Sequence, residues 1–310
     1  MIRLAKPKNM SFNDKLAIEV FSLFDAEWQK RGYREENSPH KKLPRLDTAE
    51  EQANLLLFYT MANLNRSSAE SATSTFISLM DERAEIIDPQ EVILMEPELV
   101  QGLVAGKFNA NRHIASSWWH NAKTLVEQFG GSALNIITDS DCCFETIWAK
   151  LQLLTKQGVG LKTIRIKGLC LFLSLMQEAK LIEKFPIPLT LDFHVLRILW
   201  AFEIANFSEY ARPLVPTLPG QEELRGIESV KTWQTHMEQC AFWSLGIFEQ
   251  TGLDPVWVNR YIWELSRLDC KECPERCAAC KYREYCKYVV SSTTFYRYSG
   301  LLTRESRENK

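Results

Sequence analysis

The sequence predicts an all-α fold for the chain of 310 residues. Apolar residues recur at helical spacing over about four turns of residues 48–66, and the capping box Thr48-x-x-Glu51 marks the start of that helix. Strand signals are poor throughout the chain, which contains no internal repeat and no low-complexity tract. The hydrophobic content of 45% is enough to bury one large core or two medium ones.

Further helices follow along the chain. The next helix is predicted at residues 68–82, and one or two short helices at residues 88–104. A longer helix in residues 109–131 is expected to stop at Gly130 and Gly131, because glycine is the usual residue beyond a helix C-terminus.

Four segments are predicted, with the helical core in the second. Residues 206–226 contain three prolines and two glycines, which indicates a long surface loop within the third segment. We expect an N-terminal segment that joins the lobe of the cysteine-rich region, a helical core, C-terminal helices with the cysteine-rich region, and a polar, disordered tail. Their predicted bounds are residues 1–45, 46–200, 201–290 and 291–310.

The sequence predicts neither a signal peptide nor a membrane-spanning segment. The first ten residues, MIRLAKPKNM, lack an apolar core of useful length. No apolar run approaches the length that spans a bilayer. We therefore expect a soluble, intracellular protein without a membrane partner.

Positive charge is concentrated in one part of the chain. The formal net charge of −2 argues mildly against a nucleic-acid partner, since phosphate binders usually carry net positive charge. Between Glu145 and Glu178, however, there are five basic residues and no acidic one, which gives a local charge of +5. A solvated helix face is the ordinary explanation of such a run. The five residues are Lys150, Lys156, Lys162, Arg165 and Lys167.

This basic window contains a predicted helical hairpin at residues 140–176. One amphipathic helix runs from about Ser140 to Gln157, the sequence Gly-Val-Gly follows at 158–160, and a second helix is expected to begin at Leu161. Two glycines around an apolar residue permit a tight turn, leave backbone amides free at the next helix N-terminus and allow a phosphate to approach closely. An ordinary turn between helices has the same pattern.

Five of the nine cysteines lie in CKECPERCAACKYREYC, residues 270–286. A disulfide knot would require an oxidising compartment, for which the sequence carries no signal peptide. A zinc site would pair Cys270 and Cys273 with two later cysteines, but three residues between the pairs is a short excursion for two zinc knuckles. Four thiolates with six, two and five residues between them would suit a compact 4Fe–4S cluster and leave Cys273 spare. The four ligands would be Cys270, Cys277, Cys280 and Cys286.

Three motifs, in the same order, resemble those of the helix-hairpin-helix-GPD superfamily of DNA glycosylases. GVGLKT resembles its hairpin, PIPLTLDFHVLRILW resembles the segment with its catalytic aspartate, and the cysteine spacing resembles the C-terminal 4Fe–4S loop of endonuclease III-like members. Residues 53–79 resemble its first core helix and DNA-probing loop, so the similarity spans residues 45–290. One departure is the thirty-residue separation of Lys162 and Asp192, which resembles the archaeal 8-oxoguanine glycosylase branch, a branch without the cluster.

The resemblance implies a two-lobed helix-hairpin-helix glycosylase fold and a role for each motif. Asp192, expected at a helix N-terminus, would stabilise the developing sugar cation or activate a nucleophile, although by itself it is a plain N-cap. Lys162, expected one residue inside the second helix, would attack the sugar through its amine and form a Schiff base; the alternative is a lysine that contacts phosphate. DNA contacts are implied for Gly158, Val159, Gly160, Arg165 and Lys167, and a wedge that replaces the flipped base for Asn63, Asn65 and Arg66.

The resemblance thus implies an enzyme that flips and removes a damaged base from double-stranded DNA. The resemblance implies AP lyase activity by β-elimination and a bound 4Fe–4S cluster. One alternative is a monofunctional glycosylase for a modified base, for example in defence against modified foreign DNA, and another is a non-catalytic helix-hairpin-helix DNA-binding protein. We expect a monomer that is cytoplasmic and nucleoid-associated, or nuclear in a eukaryote.

Overall fold

The computed structural model describes residues 11–32, 38–64, 68–108, 112–206, 227–270 and 281–286. The chain divides into two compact units. The central unit covers Tyr33–Ile187, and the terminal unit combines Met1–Gly32 with Pro188–Lys310.

The described residues are mostly helical, which confirms the predicted all-α class. The helices at residues 49–107 follow the predicted segments closely, and the one or two short helices predicted at residues 88–104 are two, Pro89–Leu94 and Pro97–Lys107. None of the helices in the described ranges combines the length and apolar character that a membrane crossing needs. In chain order, the α-helices are α1 Asp14–Arg31, α2 Ala49–Asn63, α3 Ala69–Glu82, α4 Pro89–Leu94, α5 Pro97–Lys107, α6 Arg112–Phe129, α7 Asn135–Thr138, α8 Phe144–Lys156, α9 Ile166–Glu178, α10 Phe193–Ala201, α11 Ile227–Thr251 and α12 Pro255–Glu264.

The short elements are two strands, two 3₁₀ helices and one π-helix. Strands β1 and β2, Ser11–Phe12 and Ala205–Asn206, form an antiparallel pair that the sequence did not predict, because two residues are too few to show an alternating pattern. The 3₁₀ helices are Pro39–Lys42 and Ala84–Ile87, and the π-helix is Leu265–Asp269.

Helix α2 forms the centre of the central unit and packs against α3, α6 and α9. Its residues 53–62 are all buried. The predicted capping box is confirmed, since the Thr48 hydroxyl accepts from Glu51 N at 3.1 Å and the Glu51 carboxylate accepts from Thr48 N at 3.1 Å. The start of α2 is therefore fixed by its own first turn.

The end of α6 is also where the sequence predicts it. Gly130 and Gly131 follow the helix with φ of 61° and 85°, a conformation that costs little only for glycine. Buried Asn54 of α2 holds the turn beyond them: its Nδ2 donates to Gly131 O at 3.0 Å, and its Oδ1 accepts from Ala133 N at 2.7 Å. One side-chain amide thus pairs with two backbone groups of that turn.

Both helices of the hairpin begin later than the sequence predicts. Helix α8 begins at Phe144 rather than Ser140, because Asp141 and Cys142 have φ of 52° and 50°. Helix α9 begins at Ile166 rather than Leu161, with Thr163 before it at φ 66°. Left-handed residues interrupt a right-handed helix. The expectation that Lys162 lies inside the second helix is therefore wrong, and it lies in the hairpin loop, residues 157–165.

In the terminal unit, α1 packs against α12 and α10 packs against α12 and the π-helix. The Phe24 ring of α1 stacks on Tyr261 of α12 with ring centroids 5.1 Å apart. Arg31 donates to the carboxylate of Glu264 at 2.7 Å and lies over the Tyr261 ring at 4.8 Å. These contacts bring the first described helix into the same core as the last one.

Candidate nucleic-acid interface and cysteine-rich segment

Side chains of α6 hold the hairpin loop by its carbonyl groups. The Thr124 hydroxyl donates to Val159 O at 3.0 Å, and His120 Nε2 lies 3.0 Å from Gly160 O. Burial lowers the pKa of His120, and the nearby charge of Lys162 lowers it further. His120 is therefore neutral at neutral pH, and bonding to a carbonyl requires the tautomer with its proton on Nε2.

Asn121 of α6 pairs with both backbone groups of Lys162. Its Oδ1 accepts from Lys162 N at 2.7 Å, and its Nδ2 donates to Lys162 O at 2.9 Å. The Asn121 side chain is fully buried, whereas the Lys162 side chain is exposed. Lys162 therefore has a fixed backbone and an accessible amine.

The direction of these carbonyl groups determines where the loop N–H groups lie. A trans peptide directs its C=O and N–H to opposite sides, so the N–H groups of Gly160, Leu161 and Thr163 face away from the α6 side chains. Within the described ranges, none of these three N–H groups, called the loop amides below, donates a hydrogen bond. Gly160 and Leu161 are buried residues, where an unpaired amide is costly. An anion at the loop would satisfy these donors.

The second glycine of the Gly-Val-Gly sequence is required by close packing. A Cβ added at Gly160 would lie 2.5 Å from the backbone nitrogen of Thr155 in α8. At Gly158, by contrast, the requirement is conformational, since its φ is 81° and an added Cβ would meet no atom within 4 Å. The hairpin loop and α8 therefore approach each other more closely than any other residue would permit.

Of the five basic residues between Glu145 and Glu178, three lie exposed at the hairpin loop. Lys150 instead pairs with Asp139 at 3.3 Å and lies 4.9 Å from the Phe129 ring centroid, and Lys167 is half-buried. Among the described residues, no acidic side chain pairs with the exposed three. We call Lys156, Lys162 and Arg165 the loop cations.

Of the three predicted wedge residues, only Asn63 lies in the described ranges. It is the last residue of α2, is half-buried, and donates from Nδ2 to Tyr59 O at 3.2 Å. Asn65 and Arg66 lie outside the described residues. The bond to Tyr59 is an intrahelical one and assigns Asn63 no further role.

Asp192 is the N-cap of α10, as the sequence predicts. Its Oδ1 accepts a hydrogen bond from Val195 N at 2.9 Å, and the residue is half-buried. Capping by Asp stabilises a helix N-terminus. Since a carboxylate has about four acceptor positions, one capping bond leaves capacity for other partners.

Two buried side chains hold the segment that leads to Asp192. Ser244 Oγ accepts from Leu189 N at 3.1 Å, and Asn259 Oδ1 accepts from Thr190 N at 2.9 Å. Both side chains are buried, in α11 and α12 respectively. The extended segment before α10 is therefore fixed by hydrogen bonds as well as by its prolines.

Arg197, which the sequence analysis did not single out, connects α10 to the first cysteine of the cluster motif. It is 1% exposed, and its Nη1 donates to Cys270 O at 3.0 Å. Its Nε and Nη2 donate to the Ser266 hydroxyl at 3.1 and 2.7 Å, and Nη2 also donates to the Ser266 carbonyl. A charged residue within the apolar pattern of PIPLTLDFHVLRILW was the signal for this role.

Helix α1 holds residues 281–286, which are the described C-terminal end of the cysteine-rich segment at residues 270–286. Lys281 forms an ion pair with Glu27, which lowers the pKa of that carboxyl. Tyr285 donates to Glu19 Oε1 at 2.9 Å, and the hydroxyls of Tyr282 and Tyr261 lie 2.5 Å apart. Both ends of the segment are thus anchored to helices of the terminal unit.

Two of the four predicted cluster ligands lie in the described ranges. Cys270 and Cys286 are half-buried at the two ends of the segment, whereas Cys277, Cys280 and the spare Cys273 lie outside the described residues. Within the residues that are described, no group of three or more His, Cys, Asp or Glu side chains is placed to hold a metal.

The predicted residues are distributed over both units. The central unit contains Lys162, the glycines of the hairpin, Arg165 and Lys167, and the terminal unit contains Asp192, Cys270 and Cys286.

No protein-family model matches the chain, and no curated protein matches it. Function is therefore inferred from the residues themselves.

Proposed function

We propose that the protein is a DNA base-excision glycosylase with AP lyase activity. The observation that carries the proposal is the hairpin loop, in which the loop amides lack an acceptor among the described residues and the loop cations are exposed beside them. Phosphate oxygens carry negative charge and accept several hydrogen bonds, so a DNA backbone would satisfy both groups. Lys162 of the hairpin loop and Asp192 would supply the chemistry.

Asp192 is proposed to act on the bond between the base and the sugar. Cleavage of that bond develops positive charge on the sugar ring and negative charge on the departing base. A carboxylate near the anomeric carbon would stabilise the sugar cation or activate the nucleophile that replaces the base. The capping bond from Val195 keeps the Asp192 carboxylate in a defined orientation for this role.

Lys162 is proposed to be the nucleophile of the lyase step. Its neutral amine would add to C1′ of the deoxyribose, and loss of water from the ring-opened abasic sugar gives an imine. Removal of a proton from C2′ then expels the 3′ phosphate by β-elimination, and water hydrolyses the imine to release the enzyme. The exposed side chain on a fixed backbone suits an amine that must reach a bound sugar.

The proposed cofactor is a 4Fe–4S cluster held by Cys270, Cys277, Cys280 and Cys286. Four thiolates would leave no open position for water or substrate, so the cluster would fold the cysteine-rich segment rather than react with the base. The thiols of Cys170 and Cys240 are not proposed as ligands, because burial in the cores raises their pKa.

A second candidate is a non-catalytic DNA-binding protein with the same hairpin. It is favoured by the Asp192 cap, since the bond to Val195 N explains the aspartate without any chemistry. A further alternative is a monofunctional glycosylase, which would release the base but would not cleave the strand, and in which Lys162 only contacts phosphate.

The test uses end-labelled duplexes that each contain one 8-oxoguanine, uracil, thymine glycol, adenine mispair or abasic site. On the duplexes that contain a damaged or mispaired base, strand cleavage without alkali would support glycosylase and lyase activity together, and cleavage only after hot alkali would support a monofunctional glycosylase. The abasic duplex is assayed without alkali, where its cleavage reports lyase activity alone. Base-containing strands that stay intact under both conditions, an abasic strand that stays intact without alkali, and binding that weakens steeply as salt rises would together favour the DNA-binding protein.

A further inference from the structure

The Asn121 side chain determines the backbone geometry of Lys162. Its carboxamide accepts from Lys162 N at 2.7 Å and donates to Lys162 O at 2.9 Å, so one planar group fixes the two peptide units on either side of the Lys162 Cα. The carboxamide cannot rotate by 180° without placing donor against donor and acceptor against acceptor. With both neighbouring peptides fixed, the direction of the Cα–Cβ bond is fixed too.

The surroundings of Asn121 strengthen this constraint. Asn121 is 0% exposed, and its Nδ2 also lies 3.2 Å from Met61 Sδ of α2. The Thr163 hydroxyl donates a second hydrogen bond to Lys162 O at 2.6 Å. No other described side chain accepts from Lys162 N. Loss of the carboxamide would therefore leave Lys162 N without a side-chain acceptor and Lys162 O with the Thr163 hydroxyl alone, while the long side chain of Lys162 remained intact.

We propose that Asn121 is the positioning residue for Lys162, and that its carboxamide sets the direction from which the ε-amine reaches C1′ of the bound sugar. This inference rests on the proposed lyase function. Asn121 contacts no loop amide directly, and Lys162 is the one loop cation that it contacts. Through Lys162 O it orients a single loop amide, that of Thr163, so the rate of imine formation should fall more than the DNA affinity when the carboxamide is changed. Misplacement of a reacting group by about 1 Å can reduce a rate by about 100-fold.

Asn54 provides a matched control within the central unit. It is a buried asparagine that uses the same pair of atoms, with Nδ2 bonded to Gly131 O at 3.0 Å and Oδ1 to Ala133 N at 2.7 Å. Asn54→Asp therefore introduces the same chemical change into the same kind of contact. It touches the turn after α6 rather than the hairpin loop.

The experiment measures imine formation on a duplex with a single abasic site, by trapping with borohydride in single turnover. Asn121→Asp, Asn54→Asp and the unmodified protein are compared well below their unfolding temperatures, and duplex affinity is measured for each. At neutral pH, Asn121→Asp should trap about 10- to 100-fold more slowly, because its carboxylate faces Lys162 O acceptor to acceptor. Asn54→Asp should trap at the rate of the unmodified protein and bind the duplex within about threefold of it. In Asn121→Asp, any loss of duplex affinity should be smaller than the loss of trapping rate, and trapping is compared with the duplex saturated.

The pH dependence provides a second measurement within one variant. A protonated carboxyl at position 121 can donate to Lys162 O again, so the trapping rate of Asn121→Asp relative to the unmodified protein should rise as pH falls. His120, Lys123 and Lys162 lie near this position in both proteins. The new carboxylate acts on these neighbours only while it is ionised, so its protonation removes that effect together with the unfavourable contact to Lys162 O. If Asn121→Asp only damaged the structure, its trapping rate relative to the unmodified protein would not rise as pH falls, and the positioning role would be wrong.

The outcomes separate this inference from the function on which it rests. Equal trapping by Asn121→Asp and Asn54→Asp, with an adduct in the unmodified protein, would overturn the role of Asn121 alone. The absence of any adduct in the unmodified protein would overturn the lyase proposal and the role of Asn121 with it.

Discussion

One added methyl group should weaken DNA binding through the hairpin loop. In Gly160→Ala, the new Cβ would lie 2.5 Å from both N and Oγ1 of Thr155 and 2.7 Å from its Cα. Carbon contacts are ordinarily about 3.5–4.0 Å, so the loop must move by about 1 Å relative to α8. The loop amides of Gly160 and Leu161 would move with it.

The structure sets the size of the expected effect. Overpacking of this kind costs about 1–3 kcal/mol of unfolding free energy. Loss of one hydrogen bond to a charged phosphate costs about 1.5–3 kcal/mol, which corresponds to a roughly 10- to 100-fold increase in Kd. Because the loop cations remain, binding should weaken rather than disappear.

The assay is fluorescence anisotropy with a labelled duplex, beside thermal unfolding of the same samples. Gly130→Ala is the stability control, because its φ of 61° makes alanine strained by about 1–2 kcal/mol while the nearest side-chain atom is 3.6 Å away. Gly130→Ala should lose stability without losing affinity. If Gly160→Ala binds the duplex within about twofold of the unmodified protein, the hairpin loop does not contact DNA as inferred.

Three further predictions concern single side chains. Asp192→Asn should abolish base release with little change in Tm, because Asn and Asp are about equally good N-caps; base release by the variant would exclude Asp192 from the chemistry. Arg197→Met should destabilise the protein by about 1–3 kcal/mol, because the carbonyl of Cys270 loses a buried donor, and should lower the iron content of the purified protein, which an iron assay would check. Burial lowers the pKa of His120 below its ordinary 6.5, so its contribution to stability is complete above pH 6.5 and decreases as pH falls below that value. In His120→Gln, which keeps a donor but does not titrate, Tm should fall less than in the unmodified protein between pH 7.5 and 5.5; parallel curves would contradict the assignment.

Local signals in the sequence predicted the helices well. The capping box at Thr48 and the glycines after α6 each act within one turn, so the residues that fix them are adjacent in the chain. Asp192 was placed at the start of α10 for the same reason. Its role in chemistry is a separate matter and remains a prediction.

Tertiary contacts decided what the sequence pattern missed. The periodicity after Gly160 favours a helix from Leu161, but Asn121 occupies the amide and carbonyl of Lys162 and the helix starts five residues later. Asn121 is remote from Lys162 in sequence, so no local pattern reveals the contact. The role of Arg197 could have been predicted from the sequence, because a cation within an apolar helical stripe must find acceptors when it is buried.

The residue that carries the covalent adduct decides whether Lys162 is the lyase nucleophile. The protein would be trapped with borohydride on an abasic duplex, digested, and the peptide that carries the sugar remnant identified by mass spectrometry. The account predicts a single modified residue, Lys162, and loss of the adduct in Lys162→Gln. An adduct on another amine, or no adduct at all, would contradict the assignment of Lys162 as the lyase nucleophile.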